Sequence, residues 1–413
     1  MSTRTVLAAL AAATTALAVG LGSAVARTDA GAAEPGVTPT EILVGGTAPL
    51  TGPASAYASI ARGAEAYLKH VNARGGVHGR TVSYRYLDDG YDPGRAVQVT
   101  RQLVEQDGVF AVFNSLGTEH NVAVRSYLNA RKVPQLFVAS GATTFGRDAT
   151  AYPWTLGFQP SYATEGTIYG TYLARTRRGA RVGVLFQNDE YGKDLLAGLR
   201  RAVARSSVRV VATQSYEVAD ADVQSQVAKL KASGADVFAV FATPKFATQA
   251  YVSATKLGWR PLVLLNAVSN ASTVMRTIAA GGASGLLGRT ISIAYLKDPT
   301  DPTWRDDAGV RTYRDVLRRH APRARPDDVF HLYGMAVAHE LVRVLRAAGP
   351  QPTRAKVMRA ARTLNDPANP FLLPGIVVRT GRGDGFPVEN VVLQRWQGGR
   401  WHTFGGLWGP PPR

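Results

Sequence analysis

Ser115 lies in the chain's nearest approach to a nucleophile elbow, Phe113-Asn114-Ser115-Leu116-Gly117. An elbow needs glycine two residues before the serine so that a strand can turn sharply into a helix, and Phe113 stands there. Gly192-Lys193 lacks the upstream glycine and the following Ser/Thr of a phosphate-cradling loop. His339-Glu340 begins a zinc-protease motif but has no second histidine four residues on, and His331 and His339 are too far apart along a helix to share one ion. Asp88, Asp89 and Asp92 carry enough charge to hold a cation, yet ahead of Pro93 their spacing fits a hydrogen-bonded turn better. No cofactor, metal or catalytic group is expected. What remains is neutral hydrogen-bonding chemistry, in loops rich in Gly, Ser, Thr, Asn and Tyr at Pro49–Tyr57, Asp88–Pro93, Asn114–Asn121, Ala139–Phe145, Gln187–Lys193, Ala242–Phe246 and Asn266–Ser272.

The elements that position these loops are legible. Ile42–Ala48, Val82–Leu87, Val109–Phe113 and Gln135–Ala139 are short apolar or alternating runs. Helical spacing separates them at Ile60–Val71, Gly94–Gln106 and Val122–Arg131. Apolar runs of strand length alternating with longer helical stretches predict βαβ units and a parallel sheet. The pattern restarts with strands at Val182–Phe186, Val208–Ala212, Val237–Phe241 and Leu262–Leu265. Helices at Asp306–Arg319 and Asp327–Ala348 follow, then short strands at Gly375–Arg379 and Val388–Arg395. The fold class is α/β: two lobes, each a doubly wound parallel sheet, with several chain crossings and a ligand at the strands' carboxyl ends between them. The expected division is 41–158 with 290–385 for the first lobe, and 159–289 with 386–413 for the second.

Length and composition agree. At 413 residues the chain exceeds what one core supports. Apolar residues at 45% and charged residues at 19% describe a globular protein, and the lack of cysteine excludes disulfides and thiolate chemistry. The formal charge is +18, and 39 of the 48 basic residues are arginine. The arginine runs 175–181 and 318–325 lack the interleaved aromatics that stack on bases, so they read as solvated faces and no nucleic-acid partner is expected. Val6–Ala26 is an uncharged apolar run ending in Ala24-Val25-Ala26, the small-x-small pattern of a signal-peptidase site. Residues 1–26 are therefore expected to be an export signal and 27–40 a linker. The mature chain is then expected in the periplasm or on the outer face of the membrane.

Leu50-Thr-Gly-Pro53, Gly63-Ala-Glu65, Val71-Asn-Ala-Arg-Gly-Gly-Val-His-Gly-Arg80, Leu87-Asp-Asp-Gly-Tyr-Asp-Pro93, Ala96-Val97 and Leu103–Val109 occur in order. With Val133-Pro134 and Glu190-Tyr-Gly-Lys193, this resembles the leucine-binding-protein family, the binding proteins of branched-chain amino acid ABC transporters. The resemblance implies a type I periplasmic-binding fold with three crossovers, and a ligand held by hinge closure. It also implies ABC permease subunits as partners, and a monomer is expected. Its ligand positions map to Tyr57, to Ser115, Leu116, Gly117 and Thr118, to Gly141, Ala142 and Thr143, and to Tyr191. Thr243 and Asn266 are further candidates in the second lobe. The ligand carboxylate would meet hydroxyls and N–H groups at Ser115–Thr118 and Gly141–Thr143.

Amino-acid binders of this family pair the ligand ammonium with an acid in the second lobe. The matching loop here is Asn266-Ala-Val-Ser-Asn270, and no Asp or Glu occurs from Val237 through Lys297. A buried ammonium without a carboxylate or a full set of acceptors is costly. The expected solute is therefore a small carboxylate, aromatic or branched aliphatic, with an amino-acid-like ligand as the alternative through Asp189 or Glu190. The function expected is solute capture for an ABC permease. Other readings are a membrane-anchored sensory protein that retains Val6–Ala26, and a secreted α/β hydrolase, which the missing elbow argues against.

Overall fold

The computed structural model describes residues 34–381 and 383–409; the export segment expected at 1–26 lies outside the described residues. The first sheet holds β1 (Glu41–Ala48), β2 (Thr81–Asp88), β3 (Ala111–Phe113), β4 (Gln135–Val138) and β5 (Thr155–Gly157). All its pairs are parallel, in the order β2-β1-β3-β4-β5. The second opens with β6 (Arg181–Gln187), β7 (Arg209–Tyr216), β8 (Val237–Phe241), β9 (Leu262–Leu265) and β10 (Thr290–Ala294). A two-residue pair, β11 (Asn365–Asp366) and β12 (Val378–Arg379), belongs to neither. β13 (Val391–Gln397) and β14 (Arg400–Trp408) then complete the order β14-β13-β10-β9-β8-β6-β7. This second sheet is mixed, because β13 and β14 pair antiparallel.

Strands buried on both faces read as unbroken apolar runs, and every residue of Val237–Phe241 is buried. The chain crosses between sheets three times: after β5, after β10, and before β13. The second crossing begins later than residue 290. Thr290–Ala294 is a buried strand beside β9, and its short, half-polar Thr-Ile-Ser-Ile-Ala pattern hid it from the sequence analysis. Beyond it Leu296 bridges Leu372, and the Leu373 N–H donates to the Tyr295 carbonyl at 2.9 Å. The final residues of the expected linker also fold. Leu43 N–H donates to the Gly36 carbonyl at 2.7 Å, and Arg354 N–H to the Glu34 carboxylate at 3.1 Å.

Helix starts are set by side-chain caps. Asp92 accepts from Arg95 N–H at 2.6 Å, Asp307 from Val310 at 3.0 Å and Asp328 from Phe330 at 3.0 Å; such caps contribute about 1 kcal/mol each. In each lobe one helix pair crosses closely on glycine. A Cβ at Gly63 would run into the His331 carbonyl, and one at Gly334 into that of Ile60, so Ala58–Asn72 and Val329–Ala347 touch backbone to backbone. Gly166 and Gly198 do the same for Tyr162–Thr176 and Glu190–Val203.

Candidate ligand site between the two sheets

The carboxyl-end loops of both parallel sheets meet around a cavity of about 80 Å³. That is less than the ~150 Å³ that admits benzene, so a solute of amino-acid size needs the lobes to part. Six tyrosines line it: Tyr57, Tyr91, Tyr162, Tyr191, Tyr295 and Tyr333. All are buried, and burial raises the pKa of every one, so they present neutral hydroxyls and flat apolar faces.

Local structure aims these rings. Tyr57 ends a short helical turn and donates from its hydroxyl to the Val268 carbonyl at 3.0 Å, across to the second lobe. Tyr91 has φ 61°, a left-handed backbone that is uncommon for an aromatic residue. Its ring lies 4.5 Å from that of His120. Tyr162 packs over Gly141, where a Cβ would strike the ring and the Pro160 carbonyl. Tyr162 and Tyr191 lie 4.8 Å apart, and Tyr191 accepts from the Asn266 amide at 2.7 Å. The Tyr333 hydroxyl is buried with no hydrogen-bond partner, beside Gln159. An orphaned hydroxyl in a cavity wall is a point where a ligand atom would gain a bond.

Of the residues singled out in the sequence, Tyr57, Leu116, Gly117, Thr118, Tyr191 and Thr243 line the cavity. Ser115, Gly141, Ala142, Thr143 and Asn266 stand behind or beside it. Ser115 accepts from Thr47 N–H at 3.0 Å, and Asn266 orients Tyr191 while also accepting from Ala242 N–H. The second expected carboxylate cradle is occupied: Ala142 N–H donates to Ser140, and Thr143 N–H to the Asp194 carboxylate at 2.7 Å. A ligand anion there would face that carboxylate. In the first loop, Leu116 and Gly117 spend their N–H groups on the Thr47 and Ala139 carbonyls. Thr118 opens the helix Thr118–Ala130, where the first turn's N–H groups have no intrahelical acceptor. Its hydroxyl is 2.7 Å from that of Ser140.

Several lining residues escaped sequence reading. Phe330 and Tyr333 sit on the helix Val329–Ala347, which was expected as a helix but not at the site, and Tyr295 and Asp298 follow the unrecognised strand β10. Asp298 is the carboxylate in the wall, one residue beyond the acid-free stretch. It accepts from the Ser272 hydroxyl at 2.6 Å and from Thr300 N–H and hydroxyl at 2.8 and 2.7 Å. Asp189 caps the helix Glu190–Val203, and burial lifts its pKa to about 6. Neither it nor Glu190 lines the cavity.

The metal-bearing alternatives are accounted for. Asp88, Asp89 and Asp92 close their turn on chain N–H groups at Leu50, Tyr91 and Arg95. Among the described residues the one compact donor group is His339, Glu340 and Asp366, within 4.8 Å of one another. The Arg343 guanidinium stands 3.8 and 3.5 Å from its two carboxylates and already supplies a cation.

Two α/β lobes joined by three crossings, with a tyrosine-lined cavity between them whose wall holds one carboxylate, Asp298, define a two-lobed binding protein. The chain belongs to the periplasmic binding protein family, whose model matches residues 41–400. Leu/Ile/Val-binding protein homolog 3 of Brucella melitensis is 30% identical over 204 residues, 48% of this chain and 53% of that protein. An amino acid binding protein of Pseudomonas aeruginosa is 23% identical over 198 residues, 48% and 52% of the two. The chain thus spans about half the length of these curated relatives. Among solved structures, a branched-chain amino acid ABC transporter protein from Thermus thermophilus with bound valine superposes with TM-score 0.79 at 17% identity, covering 91% of this chain and 98% of that one. A fatty acid ABC transporter substrate-binding protein from Thermomonospora curvata does so with TM-score 0.74 at 20% identity, covering 92% and 95%. At these identities the likeness is one of fold. The family and its neighbours are binding proteins rather than enzymes. Among the described residues no helix is long and apolar enough to cross a membrane.

Proposed function

We propose that this protein is an extracytoplasmic solute-binding protein that encloses a small carboxylated solute and hands it to an ABC permease. Thr118 carries the reading. It is a cavity-lining hydroxyl at the start of a 13-residue helix, where free N–H groups and the helix dipole both favour an anion. The tyrosine faces with Leu116 and Val268 suit an aromatic or branched aliphatic body. The neighbours' roles in ABC transport support the permease as partner, and the family supports a periplasmic or outer-face location. The protein acts as a monomer in this reading.

The solute lacks an α-ammonium group. Asp298 favours the second reading, an amino acid, because it puts one carboxylate in the wall. Its three donors from Ser272 and Thr300 already compensate that charge, which is why the first reading is preferred. A thermal-shift panel of aromatic and branched aliphatic acids beside their amino acids tests the class, since binding to the native state alone raises the melting temperature. A shift with carboxylates supports the proposal; no shift with any carboxylate at millimolar concentration overturns it.

A further inference from the structure

We propose that the end of the second lobe remote from the cavity is a docking face for anionic phospholipid bilayers. In a parallel α/β lobe every helix ends and every strand begins at one edge, opposite the strand ends that hold the ligand. Five connections meet there: 177–180, 204–208, 233–236, 257–261 and 288–289. Hydrogen bonds join them into one surface. Arg209 N–H donates to the Ala180 carbonyl at 2.9 Å, Arg181 Nη2 to Ser233 at 2.8 Å, Leu262 N–H to Asp236 at 3.0 Å and Val263 N–H to Arg289 at 2.9 Å.

This surface is cationic almost without relief. Arg177, Arg178, Arg205, Lys231, Arg260 and Arg289 are all exposed, and among the described residues none forms an ion pair. The five connections contain one carboxylate, Asp236, which accepts from Arg181 N–H at 2.8 Å. Cations at helix ends are favoured by the dipole wherever they occur, and the whole chain is arginine-rich. The first lobe is the internal control. There Glu105 pairs with Arg101 and Arg131 at 3.6 and 3.0 Å, and Asp107 with Arg85 at 3.0 Å. Composition bias alone would give both lobes the same balance.

The partner is planar and has an apolar layer beneath its charge. Among the described residues Leu257 is one of two large exposed hydrophobics, and it is 37% exposed on this face between Lys256 and Arg260. Trp259 beside it is buried, so no ring is presented for stacking on bases. Unpaired cations around an apolar tip match an anionic headgroup layer, where each near-surface Lys or Arg adds attraction and the leucine enters the acyl boundary.

The full chain should partition onto vesicles of phosphatidylcholine with one-third phosphatidylglycerol at least about tenfold better than onto phosphatidylcholine alone at low salt, and lose that preference at high salt. The ratio cancels any insertion of the apolar run 6–26. The triple variant Arg177→Glu, Arg178→Glu, Arg205→Glu should abolish the preference. Arg318→Glu, Arg319→Glu, Arg323→Glu in the first lobe changes net charge equally and should keep most of it. Because the chain has no cysteine, Leu257→Cys and Leu407→Cys each take one environment-sensitive dye. The dye at 257 should shift to the blue on the anionic vesicles and the dye at 407 should not. Equal losses in both triple variants, or equal dye shifts, would show that net charge alone binds and would overturn the docking face. So would tighter binding to polyphosphate or DNA than to vesicles.

Discussion

The hydroxyl of Tyr57 donates to the carbonyl of Val268 at 3.0 Å, a bond from a loop of the first lobe to the loop after β9 in the second. Both residues line the cavity, so this bond and a ligand report on the same closure. Tyr57→Phe should weaken ligand binding by about 1 kcal/mol, roughly fivefold, the cost of one net hydrogen bond. Melting of the ligand-free protein should barely move. Calorimetric titration with parallel thermal melts checks this, and unchanged affinity would remove the bond from the closure account.

Thr118→Val should cost about 1–3 kcal/mol in binding, the range for a charged ligand group left short of a hydrogen bond. Thr143→Val should cost little, because the Thr143 N–H serves Asp194 and its hydroxyl lies 3.2 Å from that of Ser161. Affinities of the two variants for whichever acid the thermal-shift panel selects decide the matter. Equal losses would reinstate the second loop as ligand-binding.

Gly63 and Gly334 hold the backbones of two helices together. Gly63→Ala should destabilise the fold by about 2–3 kcal/mol, since the overpacked atom is a carbonyl oxygen of a helix and not the end of a flexible side chain. Gly406→Ala, where a Cβ meets nothing, should be near neutral. Urea unfolding of the two variants makes the comparison.

Buried acids set the pH profile. Burial lifts Glu340 to about 8 and Glu165 to about 7, from an ordinary 4.5. The folded state then holds protons that the unfolded chain releases. Their stabilisation is full below pH 4.5 and is lost as pH rises through 7 and 8. His120 runs the other way. Burial lowers it to about 4 from 6.5, so stability is lost as pH falls across that interval. Stability should peak at mildly acidic pH. Glu340→Gln should flatten the alkaline limb by about 2 kcal/mol, read by urea unfolding across the range. An unaltered limb would show that Glu340 does not titrate there.

Most of the fold was legible because parallel-sheet strands advertise themselves: Val237–Phe241 is apolar at every position. Thr290–Ala294 was not, since its polar Thr290 and Ser292 are satisfied inside the lobe, Thr290 by the Tyr251 hydroxyl at 2.8 Å and Ser292 by the Asn270 amide at 2.9 Å. The loops at strand ends were readable from composition, which brought Tyr57, Thr118, Tyr191 and Thr243 to the site. Reading the loop Gly141–Thr143 needed a long-range fact, that Asp194 from the other lobe already takes its N–H. Phe330 and Tyr333 carry no local mark at all. A helix residue facing a cavity and one facing a core have the same spacing, and only the crossing of chains tells them apart.

The most direct test of the account is a paired calorimetric titration: leucine and phenylalanine against their deaminated acids, on the native protein and on Asp298→Asn. In the proposed complex the anion sits at Thr118, and Asp298 is compensated by Ser272 and Thr300. The deaminated acids should bind more tightly, and Asp298→Asn should change their affinity by less than about 1 kcal/mol. Tighter binding of the amino acids, abolished in Asp298→Asn, would contradict this and make Asp298 the partner of a ligand ammonium.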